Sequence, residues 1–291
     1  MDGVIVINKQ TGCTSHDIVY KVKKLLNEKV GHTGTLDPMA EGVLPILVGK
    51  GTLVSKYLIN HDKKYIATLQ LGIKTDTADS EGKIIEEQPV DIEKLTENYI
   101  CNVFKTFIGK QEQLPPMYSA IKVHGKKLYE YARKGQNVEI QPRQIEIYNM
   151  KLLDINIQEK QIKFEISCGK GTYIRSVCED IAKKLDTVGY MLKLKRTQVG
   201  KFNIEKSITI KELKENIEDI EFLKENFISI ERLFENKGKL IVPNIKKKHF
   251  LNGVKITQKN EDGIYRIYTE NNEFLGIGVV KNNLLKRDII L

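Results

Sequence analysis

The first group in this sequence with the makings of a reactive centre is a carboxylate in a glycine-rich loop, Asp37 of Gly31-His32-Thr33-Gly34-Thr35-Leu36-Asp37-Pro38. Gly31, Gly34 and Gly42 permit tight turns and let a substrate backbone come close. Pro38 restricts the residue before it to extended conformations, which holds the Asp37 carboxylate at a defined angle. A carboxylate so placed can serve as nucleophile or general base. The local alternative is an Asx-turn or helix cap, the more usual fate of a lone Asp-Pro.

A second candidate is Lys170-Gly171-Thr172-Tyr173-Ile174-Arg175, which joins a strand ending near Cys168 to a helix. That junction can set Arg175 at the sheet edge, facing another loop. Arginine pairs with a carboxylate through two parallel hydrogen bonds and stays charged when partly buried. A surface or phosphate-contacting arginine accounts for it equally well. The third stretch, residues 114–133, mixes prolines, aromatics and basic residues, as surfaces that meet single-stranded nucleic acid do. It also reads as a packed loop followed by an amphipathic helix with Leu128, Tyr131 and Ala132 on its core face.

Other chemistries find less support. Gly49-Lys50-Gly51-Thr52 resembles the end of a phosphate-binding loop, but Leu44 stands where its first glycine is needed and Gly51 separates Lys50 from the hydroxyl. Cys13, Cys101, Cys168 and Cys178 are dispersed, as are the five histidines, so no metal site is expected.

The elements that must position these residues follow from periodicity. Residues 4–7 read as a strand, and Thr14-Ser15-His16-Asp17 as a cap for a helix carrying Ile18, Val19, Val22, Leu25 and Leu26. Residues 43–48 suit a buried strand. Tyr65, Ala67, Leu69 and Leu71 alternate as another. Asp91 is expected to open an amphipathic helix with Ile92, Leu95, Tyr99, Val103, Phe104 and Phe107 on one stripe. Strand patterns recur at Ile145/Ile147, at Ile162/Phe164/Ile166/Cys168 and at Tyr190/Leu192/Leu194. Between them lies a helix with Val177, Ile181 and Leu185. Residues 206–235 read as charged and helical, and 263–269 and 274–281 as short strands around Asn271-Asn272. Closely spaced strands among helices predict an α+β fold with a mixed, largely antiparallel central sheet.

The 291 residues are 41% hydrophobic, enough for a substantial core, and hold no apolar run long enough to span a membrane. The N-terminal segment reads as a strand, not a signal peptide, so a cytoplasmic protein is expected. Formal charge is +9. Residues 237–291 hold eleven Lys or Arg against five Asp or Glu, a net +6, so two-thirds of the excess sits in the last fifth of the chain. That distribution favours a nucleic acid partner.

Six blocks in order resemble the bacterial tRNA pseudouridine-55 synthases (the TruB family), over residues 2–202. They are Gly3-Val4-Ile5 through Lys9 with Gly12-Cys13-Thr14-Ser15-His16-Asp17; the Asp37 loop with Ala40-Glu41-Gly42-Val43-Leu44-Pro45; Tyr65 with Leu71-Gly72 and Thr75-Asp76-Thr77; residues 115–133; Gly169 through Arg175; and Leu194-Lys195-Arg196-Thr197. The 115–133 block looks like the bacterial stand-alone type, not the guide-RNA-dependent relatives. Gln10 replaces a usual proline and Lys195 a common arginine.

The resemblance implies a catalytic unit over residues 1–236, with an inserted thumb-like segment around 105–140. It also implies a small basic RNA-binding domain resembling the PUA module over 237–291. It further implies a cofactor-free reaction, the isomerisation of T-loop uridine at tRNA position 55 to pseudouridine. On this resemblance Asp37 is the catalytic carboxylate and Arg175 its partner. Tyr65 stacks on the target base and is a candidate acceptor for its C5 proton. His32 fills the space left by the flipped uridine, and Tyr173 and Leu194 wall the base pocket. The expected partner is tRNA, bound by a monomer that needs no protein partner and no membrane. A non-catalytic tRNA chaperone of the same fold is the alternative.

Overall fold

The computed structural model describes residues 1–136 and 138–291. Its main sheet is built on Gly3–Lys9 (β1), Glu41–Val48 (β2), Lys63–Leu71 (β3), Gly109–Gln113 (β4), Arg143–Asn156 (β5), Gln161–Cys168 (β6), Gly189–Val199 (β7) and Phe227–Ser229 (β8). They lie side by side as β8-β1-β2-β7-β3-β6-β5-β4, with Val30–His32 added on β2 and Phe202–Asn203 on β7. Every pairing is antiparallel except β7 with β2, where Lys195 faces Glu41 and Arg196 faces Gly42. The fold is therefore α+β with a mixed, largely antiparallel sheet.

One face of the sheet is covered by helices Glu97–Lys105 (α2) and Ile174–Lys184 (α3). Ile100, Phe104, Val177 and Ile181 pack there on Ala67, Leu69, Phe164 and Ile166. The helix Ser15–Leu26 (α1) begins at a Thr14/Asp17 capping box and buries Ile18, Val19 and Val22 against Ile5, Ile7, Leu44 and Ile46. Residues 114–136 and 138–142 lie off the sheet between β4 and β5. They carry a small hairpin, Lys122–Val123 with Lys126–Lys127, and the short helix Leu128–Ala132.

Three details depart from the periodicity. Asp91 caps only a single turn, Ile92–Lys94, and the helix proper starts after a second cap at Thr96, so Ile92 and Tyr99 are exposed while Ile100 joins the core. Residues 206–235 are three short helices, and Phe227–Ser229 among them supplies the edge partner that β1 would otherwise lack. In β7, register shifts at Met191/Lys193 and Arg196/Gln198 break the alternation of Tyr190, Leu192 and Leu194. Met191 and Leu194 are the buried pair, because one extra residue turns the following side chains to the opposite face.

The C-terminal residues form a separate five-stranded sheet: Lys239–Val242 (β9), Ile256–Thr257 (β10), Gly263–Thr269 (β11), Phe274–Lys281 (β12) and Leu284–Ile290 (β13), in the order β9-β11-β12-β13-β10. Ile277 and Ile289 pack against Val54, Leu58, Leu233 and Phe234. Asp288 accepts from Lys56 and Tyr57 at that junction.

Candidate active site

Asp37 is held from both sides. Ser15, the first residue of α1, accepts a hydrogen bond from Leu36 N at 2.8 Å and donates to Leu36 O at 3.1 Å. On the other side Lys9 Nζ donates to Pro38 O at 3.1 Å, and also to Gln10 O at 3.0 Å and Cys13 O at 2.7 Å. Three acceptors require three hydrogens, so Lys9 is an ammonium although burial lowers its pKa. The carboxylate between these pins is 32% exposed at its side chain, open enough for a substrate to reach.

Arg175, in the first turn of α3, reaches this carboxylate from 138 residues further along the chain. Its Nε lies 3.1 Å from Asp37 Oδ2, and its Nη2 donates to Oδ1 at 3.3 Å. The remaining donors go to Thr77 O at 3.1 Å, Tyr118 O at 2.9 Å and Asp79 Oδ2 at 3.4 Å. One buried guanidinium thus serves two carboxylates and two loops, a geometry that only its fixed five-donor fork permits. Burial pushes the Asp37 carboxyl up from its ordinary value; Arg175 pulls it back, Asp79 adds to the rise, and Lys9 and Arg196 oppose it.

Tyr65 lies in β3, 7% exposed, in one packed cluster with Leu36, Ala40 and Leu194. Burial raises its hydroxyl pKa, against the pull of Arg196 from the neighbouring strand. Tyr173 caps α3, and its backbone is clamped by Gln113, which accepts from Tyr173 N at 2.8 Å and donates to Tyr173 O at 3.0 Å. His32 accepts from Gly34 N through Nδ1 at 3.2 Å, and burial lowers its pKa, so it is neutral at physiological pH. A groove of about 830 Å³ beside the loop is lined by Met39, Glu41, Ile66, Lys163, Lys193 and Leu194.

The structure brings Asp37, Arg175, Tyr65, Leu194 and Tyr173 to one region, with His32 ending the short strand that leads into the Asp37 loop. Sequence reasoning missed Asp79, Lys9 and Arg196. Asp79 is 4% exposed, gripped by Thr77 Oγ1 at 2.6 Å and Glu81 N at 3.1 Å. Its position two residues beyond Thr75-Asp76-Thr77 was the available signal. Lys9 and Arg196 lie in the segments Gly3–Lys9 and Leu194–Thr197, but nothing in their spacing indicates burial.

The sequence model of the TruB family pseudouridylate synthase N-terminal domain matches residues 22–174. The tRNA pseudouridine synthase B of Clostridium kluyveri is 43% identical over 289 residues, covering 97% of this chain and 96% of the relative. The chain belongs to the TruB family. Models of the tRNA pseudouridylate synthase B C-terminal domain and of the TruB pseudouridine synthase II C-terminus match residues 175–235 and 239–286. A second relative of the same name, from Caldanaerobacter subterraneus subsp. tengcongensis, is 40% identical over 98% of both chains. Among solved structures, a Cbf5-Nop10-Gar1 complex matches with TM-score 0.69 and 26% identity, over 99% of this chain and 83% of that one. An H/ACA RNP bound to a substrate RNA containing 2'-deoxyuridine matches at TM-score 0.71 and 24% identity, over 99% and 85%; at that identity it shows a shared fold alone. Among the described residues no helix is long and apolar enough to cross a membrane.

Proposed function

We propose that this chain isomerises the T-loop uridine at position 55 of tRNA to pseudouridine, as a cytoplasmic monomer without a cofactor. The observation that carries this reading is the bidentate Asp37–Arg175 pair, in a chain 43% identical over 97% of its length to a tRNA pseudouridine synthase B. The reaction breaks N1–C1′, turns the base, and bonds C5 to the same sugar carbon. Glycoside hydrolysis needs two carboxylates because a leaving group is protonated and water delivered. Here the base is both leaving group and returning nucleophile, so one carboxylate suffices. Asp37 attacks C1′, adds to C6 or assists a glycal, and Arg175 keeps it ionised and aimed. Tyr65 stacks on the base, Tyr173 and Leu194 wall it, and neutral His32 occupies the gap left by the flipped uridine. That filling offsets an unstacking cost of a few kcal/mol.

Residues 1–236 carry the catalytic machinery in this reading, and 237–291 grip tRNA. Incubating an in vitro tRNA transcript with the pure protein and mapping pseudouridine tests it. Modification at position 55 is the expected result. Tight tRNA binding with no pseudouridine formed would favour the chaperone alternative.

Two further outcomes are expected. Tyr65→Phe keeps the ring and loses the hydroxyl; if Tyr65 accepts the C5 proton, single-turnover rate falls by about 10²-fold or more at unchanged tRNA affinity. An unchanged rate would confine Tyr65 to stacking. Truncation after Glu235 removes a net +6, so tRNA affinity should drop and its dependence on salt should flatten. Because Ile277 and Ile289 pack on the remaining core, folding of the truncated protein needs checking by circular dichroism.

A further inference from the structure

The largest fully buried side chain among the described residues is Arg196, only 1% exposed. A guanidinium stays charged in any interior, and an interior cation is usually matched by a carboxylate. Among the described residues no carboxylate lies within salt-bridge distance of this one. Packing alone would be served by leucine or methionine without the desolvation cost.

What Arg196 touches is the Asp37 loop. Its Nε donates to Val43 O at 2.7 Å, its Nη2 to Gly34 O at 3.1 Å and its Nη1 to Thr35 O at 3.4 Å. Those carbonyls stand at the two ends of the segment that carries Asp37. The Arg196 backbone meets the same segment in the parallel pairing of β7 with β2, opposite Gly42. There the approach is so close that a Cβ on Gly42 would lie 2.1 Å from Arg196 O, and Gly42 has φ +109°, so glycine is required on both counts. Across the other edge of β7, Arg196 is paired with Tyr65.

We infer that Arg196 is a positioning residue: its fork ties both ends of the Asp37 loop to β7, and its charge is held fixed behind that loop, on the strand paired with Tyr65. The inference rests on the function proposed above. Asp37 is also faced by Arg175 from α3, by Asp79 and Glu81 from the turn after β3, by Lys9 from β1, and by Tyr65 and Tyr173. Arg196 and Lys9 are the cations in that set that form no hydrogen bond to a carboxylate. Their charge is therefore not neutralised by a bonded carboxylate and favours the ionised form of Asp37.

Two variants separate fork from charge. Arg196→Lys keeps the charge and loses the fork, so the single-turnover rate at saturating tRNA should fall about 10-fold, with the acid limb of its pH profile where the parent's is. Arg196→Gln loses the charge as well. Its rate should fall about 10²-fold or more, and its acid limb should move to higher pH because one of the charges that hold Asp37 ionised is gone. In both, tRNA affinity should stay within about 3-fold of the parent's. A parental rate for Arg196→Lys would overturn the fork's role, and a common acid limb in all three proteins would overturn the charge's role. If Arg196→Gln does not fold, Arg196→Lys still decides the first point, and the mobility of residues 34–43 in that variant, read by amide hydrogen exchange, must rise or the tie is refuted. Failure of the parent to make pseudouridine would instead defeat the functional reading.

Discussion

Asp37→Asn is expected to bind tRNA as the parent does and to release no tritium from C5-labelled uridine. The substitution keeps the shape of the side chain and leaves the backbone pins intact, since Ser15 and Lys9 hold Leu36 and the Pro38 carbonyl, not the carboxylate. Only the charge and its nucleophilic oxygen go. Loss of a nucleophile costs on the order of 10⁴-fold or more in rate, far beyond any residual positioning effect. Turnover near the parent's would remove Asp37 from the reaction altogether.

The same variant makes a stability prediction of opposite sign. Burial, partly offset by Arg175, leaves the Asp37 carboxyl with a raised pKa in the folded protein. The folded state then holds this proton more tightly than the unfolded one, so the parent loses stability as pH rises through that interval. Above it, the charged carboxylate is a net cost that asparagine does not carry. Asp37→Asn should therefore melt at or above the parent's temperature at neutral pH, with the gap closing as pH falls below the ordinary carboxylate value of about 3.9. A variant that melts lower at neutral pH and equally at low pH would mean that the pairing with Arg175 outweighs the burial. Catalysis should follow the mirror image, its acid limb lying above that of an ordinary carboxylate.

The second large effect belongs to Arg175. Among the described residues Arg175 is the one cation bonded to both Asp37 and Asp79, and Arg175→Met leaves the buried Asp79 carboxylate and the partly exposed Asp37 carboxylate without their shared partner. Breaking a buried pair in this way costs about 3–5 kcal/mol of stability, so activity must be referred to the folded fraction. Per folded molecule the rate should still fall about 10³-fold, and the acid limb should rise, because the strongest charge holding Asp37 ionised has gone. Arg175→Lys restores the charge but cannot reach Asp37 with two donors while also serving Thr77 O and Tyr118 O. It should recover the position of the acid limb and only part of the rate. Equal rates for the two variants would mean that charge plays no part.

Tyr118 O ties Arg175 to the segment that leaves the sheet after β4, and Ser176 Oγ donates to Leu114 O at 3.1 Å in the same region. The base of that segment and the Asp37–Arg175 pair therefore share donors on one helix end. Movement of residues 114–118 would be felt at the carboxylate through the single Nη2 that serves both.

Much of the framework was legible in the sequence. The alternation of Tyr65, Ala67, Leu69 and Leu71 gave the buried face of β3, Thr14 and Asp17 gave the start of α1, and the glycine-rich loop stood out because glycine and proline restrict backbone geometry locally. These features depend on residues within a few positions of one another; the block order that points to the TruB family runs over residues 2–202 but is read along the chain without any tertiary contact. The helix expected from Asp91 failed for a related reason: two capping residues five apart both satisfy the local rule, and only packing of Ile100 and Phe104 on the sheet selects Thr96.

Tertiary structure decided the rest. Whether Arg175 meets Asp37 depends on strand order, which sets α3 beside the loop between α1 and β2. Whether Leu194 joins Tyr65 depends on a one-residue register shift that reverses the face of β7 and leaves no trace in composition. Asp79, Lys9 and Arg196 look like ordinary surface charges in the chain. Each is buried because distant segments supply part of its partners, Arg175 for Asp79, Pro38 O for Lys9 and the Gly34, Thr35 and Val43 carbonyls for Arg196, and a charge enters an interior only where such partners already stand. The loop that sequence marked as able to hold a carboxylate became a site when β1, β7, α1 and α3 closed around it.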